Sequence, residues 1–178
     1  MQRGHYKQLI FHEAEDYNTF LQLMNKYHDK YKIEIITYCL MPNHIHILIK
    51  GLNISVFVQQ LTKSYSRYFN LKHKQQGSLY QGKYKRKQIT NISTLLIVFK
   101  YILNNPIKAN ICKSRDYPWC GYADLFESNE KSWNFKLNNS NSIRGYSSPD
   151  IIIQILGGRN KVLNFINKKE PHNKCKAL

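Results

Sequence analysis

Acidic side chains are scarce in this chain. Asp and Glu number 11 against 27 Lys and Arg, a formal charge of +16 over 178 residues. That shortage argues against a site built for cationic partners and for a polyanionic one, because neutralising phosphates releases condensed counterions. Cysteine is equally sparse: Cys39, Cys112, Cys120 and Cys175 show none of the short paired spacings of a zinc site. With no signal peptide at the start they read as reduced thiols of a cytoplasmic protein. No apolar run approaches the length of a membrane span, and no basic helix has a clean apolar face, so a membrane is not the expected partner. There is no internal repeat. What is abundant is aromatic: 13 tyrosines and 8 phenylalanines offer surfaces on which bases stack. Nucleic acid is therefore the leading partner, and the length suits one core-bearing domain with a small appendage.

The most informative stretch runs from Tyr38 to Lys50, Tyr-Cys-Leu-Met-Pro-Asn-His-Ile-His-Ile-Leu-Ile-Lys. Lys32 to Leu40 is β-branched and aromatic and reads as a strand; Met41-Pro42-Asn43 supplies a turn, and His44 to Lys50 returns as a second strand. In a strand successive side chains alternate faces, so His44 and His46 point one way and Ile45 and Ile47 the other. A single strand histidine is more often a hydrogen-bonded core residue than a ligand. Two on one face are costly to bury unless both find partners, and one divalent metal satisfies both.

Around this hairpin the pattern predicts helices. Asp16 to Tyr31 carries Phe20, Leu21, Leu23, Met24 and Tyr27 at helical spacing, with Asp16 or Asn18 as cap. Ser55 to Lys74 turns Val58, Leu61, Tyr65, Tyr68 and Phe69 inward and shows Lys63, Arg67, Lys72 and Lys74 outward. Such a basic face is either merely solvated or a contact for phosphates. Gly77 to Ile89 reads as a Gly-punctuated strand region in which Tyr80 and Tyr84 are candidates to stack on bases while Lys83, Lys85, Arg86 and Lys87 meet phosphates. The plainer alternative is an edge strand protected by lysines. Ser93 is the expected cap of a third helix ending near Asn105, where Pro106 stops it; Tyr101 and Asn105 lie one turn apart on it. Tyr117-Pro118-Trp119 is an aromatic knot expected to pack. Residues 127–149, rich in Asn and Ser, read as a linker, and 150–178 as a helical appendage.

Four ordered landmarks carry a resemblance: Tyr38 to His46, then Leu79-Tyr80-Gln81-Gly82-Lys83-Tyr84, then Tyr101-Ile102-Leu103-Asn104-Asn105-Pro106, then Asp116-Tyr117-Pro118-Trp119. Over residues 2–126 the chain resembles the IS200/IS605-like single-tyrosine transposases, in particular the branch associated with repeated extragenic palindromes. The resemblance implies an α+β, ferredoxin-like antiparallel sheet with helices packed on it over residues 1–126. It implies His44, His46 and Asn105 as ligands of Mg²⁺ or Mn²⁺, and Tyr101 as nucleophile. It implies single-stranded or hairpin DNA as partner, with a homodimer as one arrangement, and cleavage and rejoining through a 5′-phosphotyrosine. It also implies a central strand ahead of Gln2-Arg3-Gly4, beside the histidine strand; the sequence in hand begins just after that position.

Three readings stay open on the residues alone. They are a metal-dependent tyrosine transposase, a non-catalytic single-strand binder on the same scaffold, and a structural protein in which the two histidines only complete a core.

Overall fold

The computed structural model describes residues 1–113, 117–125 and 149–168. Its centre is the expected hairpin, β2 (Glu34–Met41) paired antiparallel with β3 (His44–Lys50). Pro42 and Asn43 are the two residues between them. The register sets Cys39 opposite His46, Met41 opposite His44 and Leu40 opposite Ile45. Directly opposed residues share a face, so Tyr38, Leu40, Ile45, Ile47 and Ile49 line one side of the hairpin and Cys39, Met41, His44, His46 and Leu48 the other.

A third strand lies at the start of the sequence. β1 (Gln2–Arg3) pairs antiparallel with β3, Gln2 with Ile45 and Arg3 with His44, so that β3 is the middle strand in the order β1-β3-β2. Backbone bonds tie it down: the Gly4 N–H donates to the Asn43 carbonyl at 2.9 Å and the Gln81 N–H to the Arg3 carbonyl at 2.9 Å. Gly4 must be glycine, since a Cβ there would lie 2.3 Å from the Gln8 carbonyl oxygen. Past Ile45, β3 borders a cavity of about 780 Å³ walled by Ile47, Ile49, Val58, Leu61, Ile89 and Leu95. Gly77 to Ile89 is not a regular strand. Tyr80 makes only an isolated bridge to Gly4, and Lys85 exchanges backbone bonds with Met1 at 2.8 and 2.9 Å.

The Ile45 face is covered by α1 (Ala14–Tyr31) and α2 (Ile54–Lys72). In α2 the buried residues Phe57, Leu61, Tyr65 and Phe69 recur every four positions, the stripe an amphipathic helix presents to a core. α1 answers with Tyr17, Phe20, Leu21 and Met24, and Phe11 stacks on Tyr17 at 4.2 Å. The start of α1 differs from expectation. Glu13 is the cap and Asp16 its capping-box partner one turn in, because the buried Asp16 carboxylate takes the backbone N–H groups of His12 and Glu13.

The histidine face is covered by α3 (Ile92–Lys108), through Phe99, Ile102 and Leu103. Asn91, not Ser93, caps it, accepting the Thr94 N–H at 2.8 Å. Nor does Pro106 end it: the helix runs two residues further, since a proline near the last turn forfeits a single bond. α4 (Asp150–Leu156) and α5 (Arg159–Asn167) complete this side with Ile152, Val162 and Ile166. The Lys100 ammonium, on α3, donates to the Lys168 carbonyl at 2.7 Å. The aromatic knot packs as expected, with Trp119 stacked on Tyr17 at 4.5 Å and the Tyr117 hydroxyl donating to the Leu40 carbonyl at 2.7 Å. The linker assigned to 127–149 lies, apart from Pro149, outside the described residues, as do Asp116 and the last ten of the appendage.

Candidate active site

β3 delivers the two imidazoles to one place. The rings of His44 and His46 lie 5.0 Å apart and nearly perpendicular, at 83°. His46 is 9% exposed and His44 half-buried. Asn43 settles the tautomer of His44: its amide nitrogen donates to the Lys7 carbonyl at 3.4 Å, so its oxygen faces His44 Nδ1 at 2.7 Å and accepts that N–H. The Nε2 lone pair of His44 is thereby left for a ligand, the usual way an outer residue prepares a metal-binding histidine. Burial, reinforced by the Arg3 charge and the chain's amino terminus, pushes His44 down to about 4. Burial, with His44, the amino terminus and Arg3 adding to it, takes His46 to about 3. At neutral pH both rings are uncharged nitrogen donors.

α3 brings a second set of groups to this face. Tyr101, Asn105 and Lys108 fall at helical spacing on one stripe. The Tyr101 ring lies 5.7 Å from that of His46 at 83° and is 39% exposed, open enough to meet a ligand. The Lys108 ammonium sits 5.4 Å from the Tyr101 ring centre, within the range of a cation–π contact. Asn105 is buried, with its amide nitrogen over the carbonyls of Tyr101 at 3.0 Å and Ile102 at 3.5 Å. Pro106 explains the second contact. It has no N–H for the Ile102 carbonyl, and the Asn105 amide stands in for it. Anchoring Nδ2 in this way reserves Oδ1 as the carboxamide's remaining donor atom.

A tyrosine helix facing paired imidazoles is thus assembled from two elements distant in sequence. A family model described as Transposase IS200 like matches residues 1–105 of the 178. The chain belongs to the IS200-like transposase family. No curated protein and no solved structure matches it. The family makes DNA the substrate of this transposase, and no described helix is long and apolar enough to cross a membrane.

The residues expected to bind DNA are scattered. Lys83, Lys85, Arg86 and Lys87 are exposed in the irregular segment beside β1. Tyr84 is half-buried, its hydroxyl donating to Ser55 Oγ at 3.1 Å. Tyr80 is enclosed in the α1/α2 core at 6% exposure, so its ring is not presented to a base. Lys63 and Arg67 are exposed on α2, across the sheet from the imidazoles. Three residues now stand at the site that the sequence did not single out: Asn43, Arg3 and Lys108. Asn43 adjoins His44 and Lys108 extends the Tyr101–Asn105 spacing, so both were locally readable; Arg3 arrives only through strand pairing.

A second cluster has metal-like spacing. Donor atoms of Glu13, Asp16 and His73 lie within 4.8 Å of one another. Its centre already holds a cation, since the Lys72 ammonium bonds Glu13 and Glu15 at 2.8 Å each and Asp16 at 3.3 Å. Burial works against ionising Asp16, but bonds from the His12 N–H, His73, Lys72 and the Glu13 N–H outweigh it and hold the carboxyl below its usual range. This cluster clamps the start of α1 to the end of α2.

Proposed function

We propose that this transposase is a single-tyrosine enzyme of the branch associated with repeated extragenic palindromes, cutting and rejoining single-stranded DNA at hairpins. The observation that carries the reading is the juxtaposition of Tyr101 with His46 across the α3–β3 contact. The family resemblance points to Mg²⁺ or Mn²⁺, and two neutral imidazoles with a carboxamide oxygen would leave such an ion's charge undiminished. His44, His46 and Asn105 would hold it, and when bound it polarises the scissile phosphate.

The protein's own groups do the rest. Tyr101 attacks phosphorus through its phenolic oxygen; the new P–O bond replaces the bond to the 3′ oxygen, the phenol proton passes to solvent, and the departing 3′ oxygen takes one proton back from solvent to leave as a hydroxyl. The product is a 5′-phosphotyrosine that keeps the diester's energy, so a 3′-hydroxyl reverses the step and joins strands. The Asn43–His44 hydrogen bond fixes the ligand ring in advance, and the Pro106-anchored amide fixes Asn105, so little reorganisation is left for the reaction itself. The exposed cations of 83–87 track the strand's phosphates.

Incubation with Mn²⁺ and a labelled hairpin oligonucleotide should give a covalent protein–DNA adduct, stable to denaturant, that Tyr101→Phe abolishes. An adduct of equal yield in that variant would remove Tyr101 from the mechanism. Salt-sensitive binding that is indifferent to metal, with no adduct from the unaltered chain, would instead favour the single-strand binder, for which the exposed run at 83–87 is the supporting feature.

A further inference from the structure

We infer that Arg3 forms the anion subsite of this centre, holding the scissile phosphodiester over the paired imidazoles. The inference rests on the reading of His44 and His46 as metal ligands.

The pairing of β1 with β3 sets Arg3 directly opposite His44, on the same face of the sheet. Its side chain is exposed, and among the described residues it makes no ion pair and no side-chain hydrogen bond. The backbone that carries it is fixed on both sides, by the ladder to β3 and by the Gln81 N–H on its carbonyl. The next residue, Gly4, is bonded to Asn43, the residue that orients His44. The backbone that bears Arg3 and the strand that bears the ligand ring are thus parts of one fixed corner.

The electrostatics of that corner are unbalanced. The imidazoles are neutral and Asn105 carries no charge, and among the described residues no carboxylate joins them in a metal-spaced group, so these ligands do not offset the charge of a divalent ion. A guanidinium beside such an ion is repelled by it. The arrangement becomes favourable when an anion bridges the two cations, and a phosphodiester is the anion that this family's substrate supplies. Arginine suits the task because its planar fork meets two phosphate oxygens at once. During attack by Tyr101 the five-coordinate phosphorus carries one more negative charge than the starting diester, so the pairing with Arg3 tightens as the reaction proceeds. Lys108, beside the Tyr101 ring on the helix side, adds a second positive border to the same space.

The role predicts opposite signs for two measurements, which a purely structural arginine would not give. Mn²⁺ affinity is to be measured by calorimetry with and without single-stranded oligothymidylate, in the unaltered chain and in Arg3→Ala, Arg3→Lys and His46→Ala. In Arg3→Ala, Mn²⁺ alone should bind as tightly as before or more tightly, because a repelling charge is gone. The strengthening of Mn²⁺ binding by the oligonucleotide should be lost, and adduct formation with a hairpin should slow by about a hundredfold; Arg3→Lys should recover part of both. Undiminished coupling and adduct rate in Arg3→Ala would overturn the assignment, as would a fall in Mn²⁺ affinity without DNA that parallels the loss of activity. His46→Ala separates this from the underlying reading: if Mn²⁺ binding survives there, the metal site itself is misplaced.

Discussion

The two faces of the β2–β3 hairpin solve opposite problems with the same strands. On the Ile45 side, α1 and α2 enclose Phe11, Phe20, Phe57, Tyr65 and Phe69 almost completely. Among the described residues the one fully buried carboxylate, Asp16, is saturated with donors. On the α3 side, a buried and a half-buried imidazole face a tyrosine at 39% exposure, with the buried Asn105 amide one helical turn further along α3. Nitrogen lone pairs are kept neutral there rather than neutralised by partners. One face is closed by its own side chains and supplies stability; the other presents uncharged nitrogen donors and a partly exposed phenol, and is the face to which the proposed function is assigned. The metal-like cluster at Glu13, Asp16 and His73 shows why spacing alone misleads, since Lys72 already occupies it.

This contrast can be broken most forcefully on the packed side. Phe20→Ala should cost about 3–5 kcal/mol in chemical denaturation, the usual penalty for emptying an aromatic site in a core, while the folded fraction keeps its Mn²⁺ affinity. Equal losses of stability and metal affinity would show that the faces are not independent.

Acidification should strike the other side. His44 and His46 have folded values of about 4 and 3, below the ordinary 6.5. Between pH 6.5 and about 4 the unfolded chain therefore binds protons that the folded chain refuses, and stability falls as pH drops through that window. Above pH 7 these two residues contribute no slope. Urea midpoints compared at pH 7, 5 and 4 should show the decline, and a His44→Asn, His46→Asn double variant should flatten it. An unchanged slope in that variant would assign the acid sensitivity to other groups.

The smallest effect sharpens the comparison. Pro106→Ala restores an N–H to the Ile102 carbonyl and should raise stability by about 1 kcal/mol. The Asn105 amide then loses one of its two anchors, and Mn²⁺ binding should weaken by about tenfold, as when an outer-shell partner of a metal ligand is removed. A variant more stable and equally tight for Mn²⁺ would free Asn105 from any dependence on the proline.

Much of this was legible in the chain itself. Alternation and β-branching placed the hairpin, and the four-residue recurrence placed α1 and α2, because both signals are local and periodic. The pairing of His44 with His46 on one face followed from strand geometry alone. Ends were less legible: Glu13 displaced Asp16 as the cap of α1, and Pro106 was absorbed into α3 because a neighbouring amide took over the carbonyl it orphaned. Tyr80 reads in sequence like any exposed aromatic among lysines, and only the bridge to Gly4 and the core behind it enclose the ring.

What the amino-acid order determined unaided was the kind of chemistry available: two imidazoles on one face of a strand, a phenol and a carboxamide one helical turn apart, and an excess of positive charge. What only the folded chain decided was which of these groups meet. Residues 3, 44 and 101 are far apart along the backbone, and the pairing of β1 with β3 and the seating of α3 on the sheet bring them to one corner. Such contacts depend on register and packing between elements, which no local pattern encodes.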